Sequence, residues 1–150
     1  MRLEPDAIER ILSRWPVARM ATLDASGRPE LVPIVFAVCD GALWTPVDGK
    51  PKRGGELARV RNLRRDGRVG LLLDHYDDDW ERLWWLRVDG RGEVVPARGP
   101  AAERALAALR VKYPRYASGT TPLTSGEPTL IRIDPERRIG WAARAGLVIC

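Results

Sequence analysis

The sequence is short of the residues from which most catalytic centres are built. It has two cysteines, Cys39 and Cys150, and a single histidine, His75. No CxxC pair and no Cys/His cluster occurs, which argues against a disulfide framework and a zinc site and leaves both cysteines as free thiols. One histidine alone cannot furnish a His-based metal centre. No G-x-G-x-x-G follows a strand-like run, and neither G-x-x-x-x-G-K-[ST] nor G-x-S-x-G is present, so the usual phosphate-loop and hydrolase signatures are missing. Apolar runs are short too, none approaching the roughly 20 residues of a membrane span. The opening stretch MRLEPDAIERILSRW alternates charged and apolar residues and lacks the uninterrupted core of a secretory signal, so the expected location is the cytoplasm.

What is present is the composition of a folded protein with an excess of cations. The 150 residues suit one domain, 1–150, by the usual allowance of roughly 100 to 200 residues per domain. Lys and Arg number 25 against 20 Asp and Glu, a net charge of +5 that fits a partner rich in phosphate or carboxylate. The cations concentrate in one stretch: Lys50, Lys52, Arg53, Arg59, Arg61, Arg64, Arg65 and Arg68, opposed locally only by Glu56 and Asp66. Lys50, Lys52 and Arg53 stand on a Gly- and Pro-punctuated turn that leads into a helix, where charged side chains and free backbone N–H groups together favour an anion. Arg64 and Arg65 read instead as a solvated helix face. Aromatic residues are not interleaved with these cations as a base-stacking platform requires, so a nucleic-acid partner is not expected.

Periodicity supplies the elements. Glu4 to Trp15 has the i, i+3, i+4 pattern of an amphipathic helix that Pro16 ends. Val17 to Leu23 and Glu30 to Val38 read as a hairpin across the turn Asp24-Ala-Ser-Gly27, and Ala42 to Val47 as a third strand after Asp40-Gly41. The second strand is apolar on both faces, and Pro33 within it marks an edge or a bulge. Gly54 to Asp66 is a crossover helix with Leu57, Val60 and Leu63 inward. Arg68 to His75 and Arg82 to Val95 follow as strands, the latter with Trp84, Leu86 and Val88 on one face and Trp85 and Arg87 on the other. Pro100 to Tyr113 is an amphipathic helix, Arg115 to Pro128 an exposed loop, and Thr129 to Ile133 and Arg138 to Ala143 two closing strands. The sum is a mainly β chain, a six- to seven-stranded antiparallel barrel with flanking α-helices.

Strung together, the motifs ATLD-x-x-G-RP, the K-x-x-R turn, R-NL-x-x-x-x-RV-x-LL and DHYDDDW resemble the split β-barrel flavin and deazaflavin oxidoreductases related to pyridoxamine 5'-phosphate oxidase, with the FMN-binding-like fold. The likeness runs from Ala18 to Ala143. More narrowly, it is similar to the actinobacterial-type branch that uses coenzyme F420. The resemblance implies a homodimer with cofactor grooves between subunits, hydride transfer between the deazaflavin and a small-molecule substrate, and no dedicated acid–base dyad. It places the cofactor phosphate at Lys50, Lys52 and Arg53, the phosphate or acidic tail at Arg59 and Asn62, and the ring against Pro33, Val35 and Phe36. One tryptophan of the 84–85 pair, taken as Trp85, and Trp141 near the neighbour's site complete the set. FMN is the alternative cofactor, and relatives that hold haem on the same barrel make a non-catalytic binding protein the alternative role.

Overall fold

In the computed structural model, residues 1–47, 56–117 and 129–147 are described. Seven strands form one antiparallel sheet in the order β2-β1-β5-β6-β7-β4-β3. They are β1 (Ala18–Leu23), β2 (Pro29–Ile34), β3 (Ala37–Cys39), β4 (Ala42–Pro46), β5 (Arg68–His75), β6 (Trp84–Pro96) and β7 (Thr129–Ala142). The helices are α1 (Pro5–Arg14), α2 (Ala58–Arg65), α3 (Pro100–Lys112) and the single-turn α4 (Pro114–Ala117). The two edge strands, β2 and β3, are consecutive in the chain, joined by Val35 and Phe36 alone. The sheet therefore curls back on itself through a covalent link rather than a ladder, which is the split of a split barrel.

The hairpins follow their turn residues. Asp24 Oδ1 accepts from the N–H groups of Ser26 and Arg28, and Gly27 supplies a positive φ that closes the β1–β2 turn. Asp40 and Gly41 both have positive φ, the two-residue turn whose twist matches the flanking strands. α1 buries Ile8, Ile11 and Leu12, and α2 buries Val60 and Leu63, into a core shared with Met20, Leu71, Leu73, Leu86 and Ile133. α3 closes a second, smaller core through Ala102, Ala105 and Leu109 against Ala37, Trp44 and Leu130.

Four boundaries differ from the sequence reading. Glu30 to Val38 is two strands, because after Ile34 the chain leaves β1 and pairs with β4 instead. Thr129 to Ala142 is one strand, because Glu136 is an extra residue bulged between Pro135 and Arg137 opposite Gly90 and Asp89, and the ladder resumes beyond it. The tryptophan strand begins at Trp84, Trp80–Arg82 being a 3-10 turn capped by Asp79. The described part of the crossover helix begins at Ala58, with Leu57 before it in extended backbone. Pro33 lies in the edge strand opposite Arg19, as its missing donor requires.

Candidate functional site

The sequence-predicted residues fall in three places. The first is the end of the barrel where β6 finishes and β7 begins. A cavity of about 320 Å3 opens there, lined by Arg64 of α2, Val94 to Arg98 and Thr129. Two anchors sit on its rim: the Val47 N–H donates to the Thr129 carbonyl at 3.2 Å, and Arg64 Nε pairs with Glu56 Oε1 at 2.8 Å. Both ends of the segment that carries Lys50, Lys52 and Arg53 thus leave from this rim. Those three residues themselves lie outside the described residues.

α2 is set on the barrel by its own polar face. Asn62 is buried, its Nδ2 donating to Thr22 Oγ1 at 3.0 Å and its Oδ1 accepting from Arg65 Nη2 at 3.0 Å. Arg65 in turn donates to the Leu23 carbonyl. The tail contact expected at Asn62 falls on a buried amide that already bonds Thr22 of β1 and Arg65 of its own helix, as a buried polar group must. Arg59, one turn earlier, is half-buried. Arg64, read as solvated, is exposed and also lines the cavity.

The second place is the β2–β3 link. Pro33 is exposed and Val35 half-buried, but Phe36 is fully buried. Lys112 sets its ammonium 3.6 Å from the centre of the Phe36 ring and donates to the Leu12 carbonyl. The Tyr113 hydroxyl accepts from the Phe36 N–H at 3.0 Å and has the Phe36 and Pro16 carbonyls within donating distance. Phe36 cannot face a planar ligand from solvent, because α3 covers it. Burial pushes the Lys112 ammonium down to about 8 and the Tyr113 phenol up to about 12.

The third place is the outer face of the sheet. Trp84 is buried against Trp15, ring centres 4.7 Å apart, so Trp85 turns outward. It pairs directly across the ladder with Trp141, which is 39% exposed. Pro33, Arg19, Leu72, Arg87 and Ile139 form the neighbouring rung of the same face. The Arg19–Asp74 and Arg87–Asp89 pairs neutralise much of its charge. A shallow, mainly apolar hollow of about 380 Å3 lies further along it, beside Ala21, Gly70 and the bulge residue Glu136. Trp85 and Val95 are ten residues apart on β6, about 30 Å along the strand at its usual rise. One chain therefore does not bring the aromatic pair to the cationic cavity.

Outside these three places the lone histidine is paired with a carboxylate. His75 Nε2 is 2.8 Å from Asp77 Oδ2, and the ring stands edge-on to Trp15, a structural use of the lone histidine. That hydrogen bond first, and the Asp79 N–H and Arg82 charge after it, hold the Asp77 carboxyl below the usual carboxylate range. Among the described residues no group of His, Cys, Asp and Glu could hold a metal, and no helix is long and apolar enough to cross a membrane.

The sequence matches a family model, that of pyridoxamine 5'-phosphate oxidase, over residues 4–142. The chain belongs to the pyridoxamine 5'-phosphate oxidase family. No curated protein sequence matches it. Among solved structures, a conserved hypothetical protein from Mycobacterium tuberculosis superposes with a TM-score of 0.76 at 24% identity, covering 95% of this chain and 86% of that one. The haem storage protein HutZ from Vibrio cholerae gives 0.71 at 19% identity, covering 95% of each chain. An F420 reductase gives 0.60 at 21% identity, over 87% of this chain and 94% of that one. At these identities the likeness shows the split-barrel fold, on which the neighbours carry different ligands.

Proposed function

We propose that this member of the family is a cytoplasmic, homodimeric oxidoreductase that transfers hydride between coenzyme F420 and a small-molecule acceptor. The observation that carries the reading is a pairing of opposites. The described residues offer an aromatic face for a flat ring and a cationic cavity for an anion. Such a protein suits a ligand that combines the two. When bound, the deazaflavin supplies the hydride chemistry, and the protein's share is to bind, orient and exclude water.

The parts of that share divide between the three places. Trp85, Trp141 and Pro33 present an apolar, aromatic surface to the ring, and Val35 flanks it at the strand break. The cavity rim and the basic segment anchored on it receive the anionic end, with Lys50, Lys52, Arg53 and Arg59 as its cations. A second copy of the chain laid on the outer face of the sheet brings one subunit's tryptophans toward the other's cavity. It also covers Leu31 and Leu72, which are 66% and 39% exposed.

The test is a side-by-side titration of the protein with F420 and FMN, followed by intrinsic tryptophan fluorescence. Micromolar F420 binding with weaker FMN binding, then oxidation of reduced F420 by a panel of quinone-like and unsaturated acceptors, is the expected result. The reverse preference makes FMN the cofactor, and binding of neither overturns the reading. The haem storage protein on the same fold favours one second reading, a non-catalytic carrier. It is recognised by tight binding without turnover on any acceptor.

A further inference from the structure

We propose that Arg98, together with Arg64, forms the binding site for the anionic tail of the ligand, inside the cavity at the end of β6. The occupant it fits is a flexible chain bearing phosphate or carboxylate groups. The choice of F420 as its source rests on the function proposed above. The sequence gives no hint of this role: Arg98 stands outside the basic stretch, in the link between β6 and α3, and Arg64 reads as a solvent-facing helix residue.

The cavity lies on the seam between the two cores. Val94 packs toward the larger one beneath α1 and α2, whereas Val95 and Ala97 pack toward the smaller one beneath α3. The ladder ends at the Pro96–Thr129 pair, beyond which β6 turns away toward α3 through Gly99, whose φ is +92°. The volume of about 320 Å3 stands at the lower end of small-molecule sites, which run from roughly 300 to 1,000 Å3. It therefore suits one portion of a cofactor.

Its charge is one-sided. The described lining residues include two guanidiniums from separate elements and no carboxylate. Arg98 makes no hydrogen bond or ion pair with any described residue, so its donors are available to a ligand. Arg64 is held by Glu56, whose side chain is 44% exposed, so a ligand oxyanion has to share or displace that carboxylate. Between the two cations, Val94, Pro96 and Ala97 give an apolar floor over which methylene stems can lie. Arginine suits this task because its planar fork can donate two parallel bonds to a phosphate or a carboxylate.

The experiment compares F420 with its tail-less chromophore, the 8-hydroxy-5-deazaflavin riboside. Each is titrated into wild type, Arg98→Ala, Arg64→Ala and Glu56→Gln and followed by tryptophan fluorescence. The expected result is that the two arginine variants each lose about three- to tenfold in F420 affinity, the range for a partly solvated charge-assisted hydrogen bond. Riboside affinity should stay unchanged, and Glu56→Gln should bind F420 more tightly because it frees Arg64. All three side chains are exposed, so folding is not at stake, and circular dichroism checks it. Equal F420 affinity in wild type and both arginine variants overturns the tail site while leaving F420 as the cofactor. Failure of wild type to bind F420 overturns the proposed function and this occupant with it.

Discussion

Lys112 places a cation on the face of an aromatic ring in a half-buried spot with no ion-pair partner among the described residues. Desolvation lowers its pKa to about 8, while the Phe36 ring face offsets part of that cost by favouring the charged form. In the unfolded chain a lysine titrates near 10.4. Between about 8 and that value the unfolded state thus binds more protons than the folded one, and stability must rise with pH. Tyr113 acts in the opposite sense above it. Its folded pKa of about 12 exceeds the ordinary 10.0, so the stability it contributes is full below pH 10 and is lost as pH climbs toward 12. Urea unfolding between pH 7 and 11 should therefore show a rise and then a fall. Lys112→Met should remove the rising limb, and an unchanged profile in that variant would mean that burial does not hold the ammonium down.

At the scale of the element, the β6–β7 ladder spans both ends of the barrel, and its bulge decides how far it bends. Gly90 sits where two residues of β7 face one of β6. A Cβ there would run into the Asp134 carbonyl oxygen and lie 3.1 Å from its carbon and 3.2 Å from Pro135 Cα. Backbone on that side cannot swing away as a side chain can. Gly90→Ala should thus cost about 1 to 3 kcal/mol, as overpacking does elsewhere. Gly70→Ala, in the neighbouring strand with nothing within 4 Å of its Cβ, should be neutral or slightly stabilising. Urea midpoints of the two variants make the comparison, and equal losses would show that the bulge yields.

For the whole molecule, the outer sheet face is the surface on which assembly can be tested. It carries exposed Leu31, Leu72 and Trp141 among self-neutralising ion pairs, a pattern that suits a copy of itself. Light scattering on wild type should give twice the mass of one chain, and Leu72→Asp should shift it toward one. A wild-type mass of one chain would remove the shared groove from the proposed function. The alternation of Trp84 and Trp85, the Asp40-Gly41 turn and helices α1 to α3 were legible in the sequence, because period, turn chemistry and burial are local properties, whereas α4 falls in the stretch read as a loop. By itself the sequence also determined the family, since its spaced motifs run along most of the chain. Tertiary structure alone decided that Phe36 lies under Lys112, that Asn62 turns inward to Thr22, and that Arg64 and Arg98 meet at one cavity. Each depends on which distant element lands beside the residue, and hydrogen-bond satisfaction and desolvation are settled only once those neighbours are in place.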